Sequence, residues 1–329
     1  LALKKNSSVE ADAMHTNTSF SQKLPSLQIY IDASSLTEFK ICPRRYFFSM
    51  VMGRQPMAES VHLTFGTLLH KAAELYHIRR FTHTEGHADA LRFVVSWAMR
   101  ATWEKEHNRP WTSGDKYKNR FTLIRTIVWY LDKYQEDELR TAILANGKPA
   151  VELPFTIDSG YTAFTGESFH LCGKLDRIVT FKSQYYVADI KTTQATIGDY
   201  YWKRYTPDNQ VTIYSLAGNE AFGIPVEGLI IDACQIAIEF SRFERGLIER
   251  TEDQLLEWRE ELGYWLMTLN NYAEREIWPR NDSACNIYGG CPFRTVCSQP
   301  NSTAAQKVIE GAYRERIWDP LQNRMSFAT

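Results

Sequence analysis

His170 to Lys191 reads H-L-C-G-K-L-D-R-I-V-T-F-K-S-Q-Y-Y-V-A-D-I-K, and this stretch decides the fold. Two runs rich in β-branched and aromatic residues, His170 to Thr180 and Tyr185 to Lys191, flank a short polar turn around Lys182-Ser183. That is the pattern of a hairpin. Alternation along the second run puts Tyr185, Val187, Asp189 and Lys191 on one face and Tyr186, Ala188 and Ile190 on the other. Asp189 and Lys191 therefore project together, about 7 Å apart along the strand. If the runs pair, Asp176 meets Asp189 at one end of the hairpin, and Cys172 shares the Asp176 face. Two carboxylates from neighbouring strands make a hard-oxygen site suited to Mg²⁺ or Mn²⁺. A lysine beside them can orient or deprotonate a water and offset charge in a transition state. D-x-K by itself is a common surface ion pair, so the weight falls on what surrounds it.

Outward from the hairpin, Ala150 to Ile157 reads as a preceding strand carrying Glu152. Asn209 to Asn219 reads as a helix, and Gly228 to Glu239 as a long apolar strand paired with Arg245 to Glu249. A long amphipathic helix follows over Thr251 to Ile277. After Pro279 come a Gly/Cys-rich loop, with cysteines at 285, 291 and 297, and a last helix near Ala304 to Tyr313. On the other side, Ser35-Leu36-Thr37-Glu38 has the form of a capping box opening a helix over Phe39 to Val51. Further helices fit Leu63 to Arg80, Ala88 to Glu106 and Tyr117 to Leu144. The order predicts an α/β fold, a mixed sheet core over about 150–250 flanked by helices, with an N-terminal helical part over about 33–146. Residues 1–25 are polar and aperiodic and are expected to be a disordered tail. Residues 26–300 then form one domain, followed by a C-terminal helix and tail over 301–329.

The formal net charge is -1, with 44% hydrophobic residues. A strongly basic chain would point at once to nucleic acid, and this one does not. Local basic clusters remain at Arg44-Arg45, Arg79-Arg80, Lys116/Lys118/Arg120 and Lys203-Arg204. Each by itself reads as a solvated face. The run Tyr200-Tyr201-Trp202-Lys203-Arg204-Tyr205 interleaves rings with cations close after Lys191. Such a run can stack bases and meet phosphates along a single strand. No apolar run has the length of a membrane span, and the first residues lack a signal-type apolar segment, so the expectation is a soluble, cytoplasmic protein. Six cysteines in this length are too few for a disulfide scaffold. No G-x-x-x-x-G-K-[ST] loop occurs, so any motor would be a separate chain.

The ordered series S-S-L-x-x-F-x-x-C-P-R-R-Y (Ser34 to Tyr46), G-T-L-L-H (Gly66 to His70), G-K-L-D-R-I (Gly173 to Ile178), A-D-I-K-T-T (Ala188 to Thr193) and Q-V-T-I-Y (Gln210 to Tyr214) resembles the RecB-like PD-(D/E)XK nucleases. That group includes the nuclease domains of RecB and AddB, CRISPR-associated exonucleases and phage relatives. The resemblance runs from about Ser34 to Cys297. It implies a restriction-endonuclease-like core and a metal-dependent DNA exonuclease. It implies that His70, Asp176 and Asp189, with the Ile190 carbonyl, hold Mg²⁺ or Mn²⁺ and that Lys191 is catalytic. It also implies that Gln210 and Tyr214 contact the DNA backbone or orient the lysine, with Lys203 and Arg204 as further DNA contacts. Glu152 falls where relatives often carry an acid. The implied partners are DNA, as single strands or duplex ends, and a separate helicase or recombination protein, in a prokaryotic or phage-like setting.

In iron–sulfur members of that family one cysteine before the core joins three after it. By resemblance, Cys42, Cys285, Cys291 and Cys297 hold a [4Fe–4S] cluster in the C-terminal cysteine loop. Relatives often have two residues between the first two trailing cysteines, where this chain has five, and Gly289-Gly290 would let the longer loop curl. The residues by themselves leave open unligated thiols or a Cys₄ zinc site, although the short C-x₂₋₄-C knuckles typical of zinc are missing. A binding subunit that holds DNA without cutting is the other reading, against which the intact set of His70, Asp176, Asp189 and Lys191 argues.

Overall fold

The computed structural model describes residues 18–321 except Glu59, Tyr288 and Ile317. Its main elements are strand β1 (Tyr30–Ile31), helices α1 (Ala33–Ile41), α2 (Val61–Thr82), α3 (His87–Ala101) and α4 (Arg120–Lys133), and strands β2 (Arg140–Thr141), β3 (Val151–Thr162), β4 (Ser168–Phe181) and β5 (Gln184–Thr193). Then come helices α5 (Asp199–Lys203) and α6 (Asn209–Phe222), strands β6 (Val226–Ile236) and β7 (Ser241–Glu249), and helices α7 (Glu252–Arg275) and α8 (Ser302–Ala312). The sheet order is β1-β4-β5-β6-β7, with β2 and β3 also pairing with β4. β5 and β6 are parallel, joined through α5 and α6; β4–β5 and β6–β7 are antiparallel. This is the mixed sheet flanked by helices that the sequence predicts.

The chain forms two compact units, and β3 and β4 contribute residues to both. One unit contains residues 59–155 and 174–251. Its core packs Phe65, Leu69, Ala72 and Tyr76 of α2 with Val94 of α3, Leu123 and Ile127 of α4, and Ile190, Cys234 and Ile236 of the sheet. Cys234 is core, as its apolar strand predicts. The β4–β5 turn places Lys182 and Ser183 at φ of 48° and 68°, the two-residue left-handed turn that matches strand twist. The other unit contains 18–58, 156–173 and 252–321 of the described residues. There Phe39, Tyr46, Tyr272 and Trp278 pack ring against ring, and Phe48, Phe293, Val296 and Ile309 form a second cluster.

Several boundaries differ from the sequence expectation. The capping box is made by Asp32 and Ser35, not Ser35 and Glu38: Ser35 N–H donates to Asp32 Oδ1 at 3.0 Å, and the Asp32 N–H donates back to Ser35 Oγ. The helix expected over Phe39 to Val51 breaks at Cys42, which is extended (φ -162°), because the proline at 43 disfavours helix in the residue before it. The expected third helix ends at Ala101 and gives way to a short hairpin, Trp103–Glu104 with Arg109–Pro110. The fourth ends at Lys133, and Arg140–Thr141 joins the sheet edge instead. Of the expected tail, residues 1–17 lie outside the described residues. Phe20, by contrast, is buried and bridges to Gln28. Among the described residues no helix is long and apolar enough to cross a membrane.

Candidate active site

Backbone pairing brings the two acids together. The β4–β5 register runs from Phe181–Gln184 to Arg177–Ala188, so Asp176 and Asp189 stand one step beyond the last pair. From α2, His70 reaches the same point: Nδ1 lies 2.7 Å from Asp176 Oδ2, and Nε2 lies 2.5 Å from the Ile190 carbonyl oxygen. Both ring nitrogens thus face oxygens that can only accept, which fits a doubly protonated imidazolium. Burial alone would lower the His70 pKa, but the Asp176 carboxylate, with Asp189 behind, raises it to about 9. Lys191 Nζ lies 2.6 Å from Asp189 Oδ2 and donates to Gln210 Oε1 at 2.8 Å. Gln210 sits in the first turn of α6, whose start is fixed by Asp208 accepting from Val211 N–H at 3.0 Å.

The acids are electrostatically unequal. Burial pushes Asp189 up to about 6; Lys191 pulls it down, and the neighbouring Asp176 adds to the rise. Asp176 is also opposed by burial, yet the charge of His70 holds it well below the usual carboxylate range. Burial would lower Lys191, and the charges of Asp189 and Asp176 outweigh it and raise it. Asp176 Oδ2 and Asp189 Oδ2 are buried and accept no well-directed hydrogen bond, although each touches a cationic nitrogen. Among the described residues, His70, Asp176 and Asp189 form the one group of three His, Cys, Asp or Glu residues whose ligand atoms lie within 4.8 Å of one another. Two carboxylate oxygens short of partners, an imidazole and a carbonyl make a donor set that fits a hard divalent cation.

The other candidates fall around this centre or apart from it. Glu152 pairs with Lys174 and lines a cavity with His70, Glu74, His77 and Asp176. Tyr214 meets Phe155 edge-on at 5.9 Å. In the run after β5, Tyr201 and Tyr205 are buried and share a hydroxyl contact of 3.0 Å. Trp202 lies against Gly246, where a Cβ would fall 2.4 Å from the indole. Half of the run expected to stack bases is therefore core, and Tyr200, Lys203 and Arg204 are exposed. Sequence reasoning missed Lys118. It is buried, donates to Thr192 Oγ1 at 2.8 Å, and burial lowers its pKa to about 8. Its place among Lys116 and Arg120 read as a solvated face, and nothing local distinguishes it.

In the second unit the four distant cysteines gather. Asn281 N–H donates to Cys42 Sγ at 3.4 Å, and Cys285 Sγ donates to the Asn281 carbonyl at 3.8 Å. Cys291 N–H donates to the Cys285 carbonyl at 3.3 Å. Arg44 holds the early segment to the late one, with N–H to the Pro279 carbonyl at 3.0 Å and Nε to the Trp278 carbonyl at 2.7 Å. Burial pushes the Cys291 and Cys297 thiols up, against the pull of Arg45 on the first and of Arg280 and Arg44 on the second.

A mixed sheet with paired acids and a lysine at the end of one hairpin defines the restriction-endonuclease-like class. Consistent with this, the model of the PD-(D/E)XK nuclease superfamily matches residues 31–298. The chain belongs to that superfamily. Among solved structures it is similar to a candidate exonuclease from Eubacterium rectale at 12% identity and a TM-score of 0.48, covering 91% of this chain and 99% of that one. It is also similar to a protein called SSO0001 at 13% identity and a TM-score of 0.34, covering 82% of this chain and 87% of that one. Neither likeness is close enough to bear on the activity. No curated protein matches the chain.

Proposed function

We propose that the chain is a Mg²⁺- or Mn²⁺-dependent deoxyribonuclease that works as an exonuclease on single strands or duplex ends. The observation that carries this reading is the convergence of His70, Asp176 and Asp189 within 4.8 Å, with Lys191 2.6 Å from the second acid. His70, Asp176, Asp189 and the Ile190 carbonyl would hold the cation. The bound cation supplies Lewis acidity at the phosphodiester and a water of lowered pKa. Asp189 and Asp176 keep Lys191 an ammonium, so it orients the attacking water and offsets charge on the phosphate rather than acting as a free base. Gln210 accepts from Nζ and aims it. Tyr214, Lys203 and Arg204 are assigned to the DNA backbone, and a helicase or recombination protein would be a separate partner.

Cys42, Cys285, Cys291 and Cys297 are assigned to a [4Fe–4S] cluster that ties the early segment to the late one. Gathering of cysteines from the two ends of the chain supports this reading. Iron and labile sulfide near four each per anaerobically purified chain would support it. Stoichiometric zinc would sink it.

The test of the activity is cleavage of end-labelled single- and double-stranded DNA with Mg²⁺ or Mn²⁺, wild type against Lys191→Ala. Metal-dependent loss from the ends that disappears in the variant is the expected result. Internal cuts would correct exonuclease to endonuclease. Intact DNA with folded, cluster-loaded wild type would favour a subunit that binds without cutting.

A further inference from the structure

Helix α4 buries Leu123, Ile127, Tyr130 and Leu131, and its period turns Phe121, Arg125 and Trp129 the other way. Phe121 is 72% exposed and Trp129 42%. The Arg125 guanidinium lies 6.0 Å from the centre of the Phe121 ring and 5.3 Å from that of Trp129. The two rings leave the helix about 12 Å apart along its axis. The same pairing of ring and cation recurs at the start of the helix. The Arg120 guanidinium lies 6.0 Å from the ring of Trp103, which is 41% exposed, and Lys116 Nζ lies 5.0 Å from the Tyr117 ring. Beside Arg125 the turn between β6 and β7 adds the exposed Ile238 and Phe240. Large exposed side chains gathered on one surface mark an interaction site.

The guanidiniums here hold neutral acceptors. Arg125 donates to the carbonyls of Ile238, Ala237 and Phe240 at 2.6, 2.5 and 2.9 Å. Burial lowers its pKa, and no carboxylate raises it. Arg120 donates to Thr102 Oγ1 at 2.9 Å and to the Met99 carbonyl at 3.1 Å. The acids alongside are engaged. Asp132, the one carboxylate of α4, meets His87 Nε2 at 2.8 Å. Asp115 accepts from the N–H groups of Tyr117 and Lys118 at 2.7 and 2.8 Å, and from Gln194 Nε2 at 3.2 Å. That last bond joins Lys118 Nζ to Thr192 Oγ1 at 2.8 Å in seating the segment before α4 on the end of β5, the strand that carries Asp189 and Lys191.

We infer that this surface, from Trp103 and Arg120 to Trp129, binds a single strand of DNA, stacking bases on the rings and meeting phosphates with the cations. An apolar protein partner would cover Arg120 and Arg125 with no carboxylate to answer them, which is costly. A duplex keeps its base faces inside the stack and leaves the rings bare. A single strand alternates a flat base with an anionic phosphate, and a ring beside a cation answers both. The run Tyr200 to Tyr205 offers less of this, because Tyr201 and Tyr205 are core. The inference rests on the nuclease reading for the choice of DNA as the strand.

Fluorescence anisotropy of labelled oligo-dT, about 15 nucleotides long, tests it on the full chain without added Mg²⁺ or Mn²⁺. The strand should bind roughly tenfold tighter than a blunt duplex of the same length. Phe121→Ala and Trp129→Ala should each weaken the strand by roughly tenfold and leave the duplex unmoved. Both rings are exposed, and melting curves check that the variants fold. The logarithm of affinity should fall against that of salt with a slope of about -2, as three phosphates on Lys116, Arg120 and Arg125 require, and Lys116→Ala should reduce the slope by about 0.7. A strand that binds in this way and stays intact with Mn²⁺ would support the surface and sink the nuclease reading. A strand that is cut, while both ring variants bind it as tightly as wild type, would overturn the surface and leave the nuclease reading. Equal affinity for strand and duplex, or no strand binding by the folded chain, overturns it too. So does a dimer that Trp129→Ala abolishes, which would give the face to a second copy.

Discussion

Two buried acid networks sit on the same sheet and differ in one respect, closure. At the far edge Arg245 takes Asp232 with Nε and Nη2 at 2.6 and 3.0 Å, and Asp137 with Nη1 and Nη2 at 2.8 Å each. The Tyr130 hydroxyl donates to Asp232 at 2.8 Å, and Leu139 N–H donates to Asp137. Each carboxylate oxygen there has a partner. The guanidinium is a planar fork matched to carboxylates, so the cluster needs nothing more. At the hairpin end, two carboxylates share an imidazole and an ammonium and still leave two oxygens without directed hydrogen bonds. In register, Asp232 of one network stands opposite Ile190 of the other. The neighbours teach that buried acids on a sheet are structural when a fork closes them, and available for chemistry when only point charges touch them.

The difference can be tested directly. The largest effect expected is on activity: Asp189→Asn should lower DNA cleavage by about a thousandfold or more, with a melting midpoint close to wild type. If this variant unfolds instead, the hairpin end is as structural as the far edge. Next, Arg245→Ala leaves two acids without their partner and should cost about 3–5 kcal/mol, read as a shift in the urea midpoint at constant slope. A loss under 1 kcal/mol would mean the closed network is worth no more than a surface pair. Third, Mn²⁺ at a hundred times its dissociation constant should stabilise wild type by about 2.7 kcal/mol and leave Asp189→Asn unmoved. Equal stabilisation of both would place the cation elsewhere.

The smallest effect is in pH. His70 is raised to about 9, so its ion pair stabilises the metal-free fold fully below the ordinary histidine pKa, and that contribution is lost as pH rises through 9. A cation must displace the same proton. Mn²⁺ affinity should therefore rise about tenfold per pH unit between about pH 7 and 9, with release of about one proton on binding. Flat affinity across this window would show that His70 is not a ligand.

Much of this comparison is legible in the chain. Alternation put Asp189 beside Lys191, and the two-residue turn at Lys182-Ser183 set the register that brings Asp176 to Asp189. The G-T-L-L-H motif, Gly66 to His70, assigned His70 by resemblance to the same site as Asp176 and Asp189. Prediction failed where long-range packing decides. Tyr201 and Tyr205 are identical in kind to the exposed Tyr200, and only the packing around α5 buries them. The capping residue moved to Asp32 because its side chain and that of Ser35 satisfy each other. Lys118 is buried next to Thr192 although its local sequence is polar.

The sequence by itself determined the class of fold, the strand that carries Asp189 and Lys191, and the membership of Asp176 in the same site. Those follow from a side-chain period of two and a tight turn, both local properties of the backbone. The resemblance grouped His70 with Asp176 and the Ile190 carbonyl, and Gln210 with the lysine; the tertiary structure gives the contacts themselves, and it alone decided that Arg245 closes the second network. It also decided that Cys42 comes beside residues 239 or more positions later. Such contacts join elements far apart in the chain, and their partners are chosen by how helices and strands bury apolar faces, which no local pattern encodes.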